Sequence, residues 1–179
     1  LYTMRILVTG AAGYIGSHTV TRLLYDNSVE VVALDNYSNS SAEAYTRIAS
    51  ICGRSPIIIK HDISDNIGLM ELLTHHGPYN GIIHFAALKS VPDSVKNPVL
   101  YYHNNISGLL NIIEFAQGLS NVPLIFSSSC SVYGNTSHLP VTESTPILPA
   151  ESPYAHTKQM GEDILQQVCS IQKQFKAVI

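Results

Sequence analysis

The chain has 179 residues, enough for one well-buried domain and short for two. It is 45% hydrophobic and 13% charged, with a formal net charge of −3, which gives no basic footprint for nucleic acid. No apolar run approaches the roughly 18 residues of a membrane span.

The opening "LYTMRILVTG" goes straight into a strand, 5–9, without the charged-then-apolar layout of a signal peptide. Met4 reads as the natural start and residues 1–3 as a leader. A glycine-rich turn leads to a helix over 15–25. Then come strand 30–34, helix 41–51, strand 56–60, helix 66–75, strand 81–85, helix 98–117, strand 123–127 and a helix over 153–173. The strands read "RILVT", "EVVAL", "PIIIK", "GIIHF" and "PLIFS". They are nearly apolar throughout, as parallel strands covered on both faces must be. Their strict alternation with helices argues for a doubly wound α/β sheet with right-handed crossovers. "FKAVI", residues 175–179, looks like a sixth strand cut off as it begins, so the chain reads as the front part of something longer. Three cysteines, Cys52, Cys130 and Cys169, fit neither a disulfide framework nor a zinc site, and a reducing, cytosolic home is expected. No metal is expected. His75–His76 reads as a helix end facing solvent, His84 as a core histidine, and Tyr101–Tyr102 as helix packing.

"VTGAAGYIG" places Gly10, Gly13 and Gly16 between the first strand and first helix. Glycine lets the backbone turn sharply and lie against a pyrophosphate, whose charge is met by N–H groups at the helix N-terminus. Glycine triplets also close ordinary strand–helix turns, so context decides. The second strand ends in Asp35, 19 residues beyond Gly16, where a carboxylate can accept hydrogen bonds from an adenosine ribose or simply cap a turn. No arginine follows in "DNYSNSS" to hold a 2′-phosphate, so NAD is favoured over NADP. Asp62, just after the third strand, can meet the adenine amino group or serve as a turn residue. The fifth strand runs into Ser127, Ser128 and Ser129, on the same carboxyl-end crevice as the glycine loop. Two of those hydroxyls read as structural. "ESPYAHTK" sets Tyr154 four residues before Lys158 in the first turn of a helix. Such a pair arises readily by chance in a chain with 10 tyrosines, and gains meaning only from its surroundings.

Taken in order, these motifs resemble the extended short-chain dehydrogenase/reductase family, in particular its branch that interconverts UDP-galactose and UDP-glucose at C4. The likeness runs from Met4 to Ile179 through "MRILVTGAAGYIGSHT", "LDNYSNS", "HFAALKSV", "YYHNNISG", "FSSSCSVYG" and "SPYAHTK", about half of such an enzyme. It implies a Rossmann-type sheet over 1–179 that ends before a C-terminal substrate domain. Ser129, Tyr154 and Lys158 fall at the catalytic positions. Cofactor positions fall on Gly10, Gly13, Tyr14, Ile15, Gly16, Asp35, Asn36, Asn39, Ser40, Asp62, Ile63, Phe85, Ala86, Lys89, Asn104, Tyr154 and Lys158. The resemblance also implies NAD as cofactor, UDP-sugars as substrates, a cytoplasmic place in galactose metabolism and a homodimer paired through helices 98–117 and 153–173. Ala87 and Ala155 stand where glycine is usual, and Pro92–Asp93 where Gly–Glu is common.

The chemistry is arguable from the residues. A tyrosine, with an ordinary pKa near about 10, is a poor base at neutral pH. Residues i and i+4 share a helix face, so Lys158 and a positive nicotinamide ring can both stabilise a phenolate at Tyr154. Tyr154 then takes the proton of a sugar 4-hydroxyl while Ser129 holds the same oxygen. A sugar-nucleotide 4,6-dehydratase needs further acid–base groups, and "SSSCSVYG" offers no carboxylate. Three alternatives stay open: another UDP-sugar, that dehydratase, and a non-catalytic dinucleotide-binding sensor. The 179-residue chain alone is expected to bind NAD without turnover.

Overall fold

The computed structural model describes residues 3–179; Leu1 and Tyr2, part of the expected leader, lie outside them. Six strands form one sheet in the order β3-β2-β1-β4-β5-β6, every neighbouring pair parallel. They are β1 (Met4–Thr9), β2 (Val29–Asp35), β3 (Ile57–Lys60), β4 (Gly81–His84), β5 (Leu124–Phe126) and β6 (Ala177–Val178). The chain winds outward from β1 in one direction and then, beyond β3, crosses back to β4 on its other side. That reversal opens a crevice at the carboxyl ends of β1 and β4. The doubly wound sheet expected from the apolar runs is present, and "FKAVI" does supply a sixth strand, pairing Ala177 with Leu124 and Val178 with Ile125.

Period-two alternation sorts the strands' side chains into two cores. Leu7, Val32, Leu34, Ile82 and Leu124 face α3 (Leu69–His75), α6 (Gly108–Gln117) and α7 (Pro153–Ile171), packing on Leu69, Leu73, Leu109, Ile112 and Leu165. Val8, Val31 and Ala33 face the other way, onto Val20 and Leu24 of α1 (Tyr14–Leu24) and Tyr45 and Ile48 of α2 (Glu43–Cys52). Both faces are covered over β1 and β2, whereas on the α1–α2 side Ile58 of β3 and Ile125 of β5 stay exposed.

Two helical features depart from the sequence reading. A short helix, α4 (Val91–Lys96), was not expected, because it spans under two turns and contains Pro92. Ser90 caps it, its Oγ accepting from Asp93 N at 3.4 Å, and Pro92 sits in the first turn, where a missing N–H costs nothing. The expected helix 98–117 is instead a rod in three parts: α5 (Pro98–Tyr102), a π turn (His103–Ser107) and α6. Helix boundaries elsewhere differ by a few residues, α7 ending at Ile171 and α3 starting at Leu69. Tyr101 is buried in packing as expected, whereas Tyr102 reaches α7, its hydroxyl 2.9 Å from His156 Nδ1.

Candidate active site

The carboxyl ends of β1, β2, β4 and β5 open onto a cavity of about 290 Å³. Its first wall is the glycine turn. Gly10 has φ +65°, and a Cβ there would lie 2.6 Å from Ala86 N. A Cβ on Gly16 would lie 2.1 Å from Gly10 O. The turn therefore closes against both β4 and its own helix only because neither residue has a side chain. Gly13 is the N-cap of α1 and brings no side chain to the helix end. The amides of Tyr14, Ile15 and Gly16, without carbonyl partners one turn earlier, stand at the cavity wall with the positive end of the helix. That is a ready cradle for an anionic diphosphate.

Asp35, at the end of β2, is buried and does two structural jobs. Its Oδ2 accepts from Ala12 N at 2.8 Å, tying the glycine turn down, and its Oδ1 accepts from Tyr37 N at 2.9 Å and Ser40 Oγ at 2.8 Å. It also lines the cavity. A carboxylate has about four acceptor positions, so three protein donors leave one for a ligand hydroxyl. Asn36 and Asn39 line the same end of the cavity, whereas Ser40 stands behind Asp35 and Asp62 behind Asn36. Asp62 is occupied: Asn36 Nδ2 donates to it at 2.9 Å, and the Ser64 amide and hydroxyl donate at 2.8 and 2.7 Å. Burial pushes its carboxyl up, but the bonds from Ser64 and Asn36 outweigh that and hold it below the usual carboxylate range. Ser38 and His61 line the cavity here without having been singled out in the sequence.

The middle of the cavity is walled by Ile63, Phe85, Ala86, Ala87, Leu88 and Lys89, with Asn104 entering from the π turn. Neighbouring Asn105, which sequence reasoning missed, organises this wall. Its Oδ1 accepts from Leu88 N at 2.8 Å, and its Nδ2 donates to Leu88 O at 3.0 Å and Thr157 Oγ1 at 3.0 Å. The π turn thus fastens the β4 loop to α7. "HNN" within a helical run was the available signal, since asparagine disfavours helix interiors.

At the far end, Ser129 caps the 3₁₀ turn Cys130–Tyr133. Its Oγ accepts from Ser131 N at 3.3 Å and Ser131 Oγ at 2.9 Å, so its own proton is free to donate into the cavity. Helix α7 starts at Pro153 behind the Ser152 cap, whose Oγ accepts from Ala155 N at 3.1 Å. Tyr154 and Lys158 then follow one turn apart, both lining the cavity. Lys158 is 5% exposed; its Nζ donates to Ser127 O at 2.7 Å and sits 4.7 Å from the Phe126 ring centre. Burial pushes its pKa down to about 8, against an upward pull from Glu162. His84 beneath it is a satisfied core histidine, 2.8 Å from Thr9 Oγ1 and stacked on Phe126. Burial, helped by the Lys158 charge, pushes it down to about 3.

One crevice therefore brings together the uncapped start of α1 at the glycine turn, a buried carboxylate with an acceptor position to spare and a serine–tyrosine–lysine cluster. The sheet order and that crevice define a Rossmann-type α/β domain with its ligand site at the topological switch point. The chain belongs to the NAD dependent epimerase/dehydratase family, whose family model matches residues 6–179. It is 47% identical over 164 residues to the UDP-glucose 4-epimerase of Yersinia enterocolitica, covering 91% of this chain and 48% of that protein. With the UDP-glucose 4-epimerase of Dictyostelium discoideum it shares 42% over 175 residues, 98% of this chain and 50% of that one. Among solved structures, the Bifidobacterium longum UDP-glucose 4-epimerase in complex with NAD+ and UDP superposes with a TM-score of 0.91 at 34% identity, covering 97% of this chain and 51% of that one. The Stenotrophomonas maltophila UDP-glucose 4-epimerase with bound NAD and formylated UDP-arabinopyranose gives 0.90 at 38%, covering 97% and 51%. The chain spans about half the length of the curated relatives it matches. No helix among the described residues is long and apolar enough to cross a membrane.

Proposed function

We propose that this chain is the cofactor-binding and catalytic part of an NAD-dependent UDP-sugar 4-epimerase that interconverts UDP-galactose and UDP-glucose. The observation that carries the reading is the single crevice lined by the glycine turn, Asp35, Ser129, Tyr154 and Lys158. The residues fit NAD: Gly10 and Gly16 let the turn close tightly enough to set the start of α1 at the cavity, α1 offers uncapped amides, and Asp35 keeps an acceptor position. Tyr14, Ile15 and Gly13 would meet the diphosphate, and Asn36, Asn39 and Ile63 the adenosine end. Ser40 and Asp62 act from behind, by holding Asp35 and Asn36. Phe85, Ala86, Lys89 and Asn104 would flank the nicotinamide half. The chemistry NAD supplies when bound is reversible acceptance of the C4 hydrogen as hydride.

The chain's own residues handle the proton. Tyr154, as phenolate, accepts the proton of the sugar 4-hydroxyl. Ser129 donates its free proton to the same oxygen as charge builds on it, an oriented donor in a partly buried site. Lys158 stabilises the phenolate electrostatically from one turn away on the same helix face. Once the 4-keto sugar has turned over, hydride returned to its opposite face would invert C4, and Tyr154 gives its proton back to the C4 oxygen. The whole protein is read as a cytoplasmic enzyme of galactose metabolism and as a homodimer, the last supported by exposed Val99, Leu100 and Leu110 on the α5–α6 rod. A second, C-terminal substrate domain would supply most contacts to the UDP moiety, so the 179-residue chain alone would bind NAD without turnover. Tyr154→Phe in the full-length protein tests the assignment: UDP-galactose turnover is lost while NAD stays bound. Near-normal turnover refutes it.

A further inference from the structure

Glu162 stands one helical turn beyond Lys158 and two beyond Tyr154, on the face of α7 that meets β5. It does not line the cavity, and it forms no contact ion pair with Lys158. Ser128 Oγ donates to its Oε1 instead. The next residue back, Ser127, gives its carbonyl to Lys158, and the next residue forward, Ser129, carries the hydroxyl assigned above to substrate. Three consecutive serines thus have three different partners, and the middle one is anchored on a carboxylate.

We propose that Glu162 is the positioning residue of this site: through Ser128 it fixes the β5 loop that seats both Lys158 and Ser129, and it keeps an anionic charge behind the Lys158 ammonium without touching it. The inference rests on the roles of Lys158 and Tyr154 proposed above. A direct ion pair would engage the ammonium's donors and draw it off the Tyr154 side. An anion one turn deeper leaves the ammonium bonded to the Ser127 carbonyl at the cavity wall while offsetting part of the burial that disfavours the charge. The titratable groups facing Lys158 are Tyr154 and Glu162 on its own helix and His84 from β4. His84, held neutral by burial, adds no charge near neutral pH. Glu162 is therefore the anion that favours the protonated lysine there.

The test uses the full-length protein and two readouts. The first is the pH profile of kcat for UDP-galactose. The second is the titration of Lys158 followed by its side-chain 13Cε shift in NAD-free protein, assigned with Lys158→Arg. Glu162→Gln is expected to move the alkaline limb of kcat and the Lys158 midpoint together to lower pH, by about half a unit or more for a charge about 6 Å away. Ser128→Ala, which removes the bond and keeps the charge, is expected to lower kcat several-fold and leave the midpoint in place. A Glu162→Gln protein whose activity falls equally at every pH, with an unmoved midpoint, overturns the charge role. Unchanged kcat in Ser128→Ala overturns the loop role. Wild-type protein that shows no turnover but a normal Lys158 titration sinks the epimerase reading instead, and the midpoint shift still decides the role of Glu162.

Discussion

Gly16→Ala is the sharpest single perturbation of the cofactor cradle. The added Cβ would stand 2.1 Å from Gly10 O, 2.9 Å from Ala11 Cα and 2.9 Å from Gly10 C, all backbone atoms of the glycine turn. No rotamer relieves such a clash, so α1 must slide away from β1 or the turn must open. Overpacking of this kind costs about 1–3 kcal/mol, and the upper end applies because the obstacle is main chain. In a domain of this size about 3 kcal/mol lowers Tm by about 6–12 °C. Sliding α1 also moves the amides of Tyr14, Ile15 and Gly16 that the proposed diphosphate cradle uses, so NAD affinity should fall at least about tenfold, roughly 1.4 kcal/mol. Gly53→Ala is the matched control. Gly53, unlike Gly16, has a left-handed backbone, φ +69°, and nothing lies within 4 Å of its Cβ position. It should cost only about 1–2 kcal/mol of strain and leave NAD binding unchanged. Thermal unfolding and calorimetric titration of the 179-residue chain with NAD, with NADP as control, measure both. A Gly16→Ala chain that melts and binds like wild type would show that the turn is not the cradle, and equal losses in the two variants would mean general destabilisation alone.

Asp35→Ala leaves the amides of Ala12 and Tyr37 and the Ser40 hydroxyl unpartnered. It should lower stability by about 2–4 kcal/mol in denaturant titrations, more than Asp35→Asn, which keeps one acceptor oxygen, and both variants should weaken NAD binding in calorimetric titration. Lys158→Met should abolish turnover yet raise Tm at pH 7. The fall from 10.5 to about 8 corresponds to about 3 kcal/mol for burying the charge, against about 1–2 kcal/mol for stranding the Ser127 carbonyl. A lower Tm for that variant would contradict the buried-charge cost. His84 is held near 3 by burial, so the folded state binds fewer protons than the unfolded one between that value and about 6.5. Stability should fall by up to about 1.4 kcal/mol per pH unit as pH drops below about 6.5. Asp62, whose folded pKa is depressed, contributes only below the ordinary carboxylate value and leaves the pH 5–6.5 window to His84. Denaturant midpoints at pH 7.5, 6.5 and 5.5 for wild type and His84→Asn measure that slope, and equal slopes would refute its origin.

The sheet was legible because each inner strand is apolar on both faces, "EVVAL" and "RILVT" above all, and such runs have few alternatives. The crevice was legible where motif and topology coincide: Gly10, Gly16, Asp35, Ser129, Tyr154 and Lys158 all reach it. Elsewhere the sequence carried less. "VPDSVK" forms a helix capped by Ser90, and six residues give no periodicity to detect. Asp35 was posed as either ribose acceptor or turn cap. It makes the turn bonds and still borders the cavity, a combination that residue type alone cannot distinguish. Ser40 and Asp62, expected at the cofactor, do not line the cavity but hydrogen-bond Asp35 and Asn36, side chains whose direction depends on loop geometry. Glu162 was invisible for the same reason, and for Asn105 only the "HNN" in a helical run hinted at a role. Each acts through a neighbour distant in sequence, 52 residues away for Asn105 and Thr157 and 34 for Ser128 and Glu162.

The π turn at His103–Ser107 has a consequence for how this stretch tolerates change. A π turn absorbs one more residue than an α turn, so the rod on either side runs on two helical wheels offset by about 100°. Tyr101 is buried under the first phase, and Leu109, Ile112, Ile113 and Ala116 are buried under the second. Deleting a single residue between 103 and 107 would restore an uninterrupted α-helix with better local hydrogen bonding. It would also turn Leu109 and Ile112 out of the core or Tyr101 out of its packing, and would break the Asn105 fastening of the β4 loop. The segment is thus locally frustrated and globally fixed: the variant that most improves the helix as a helix is the one the domain can least accept.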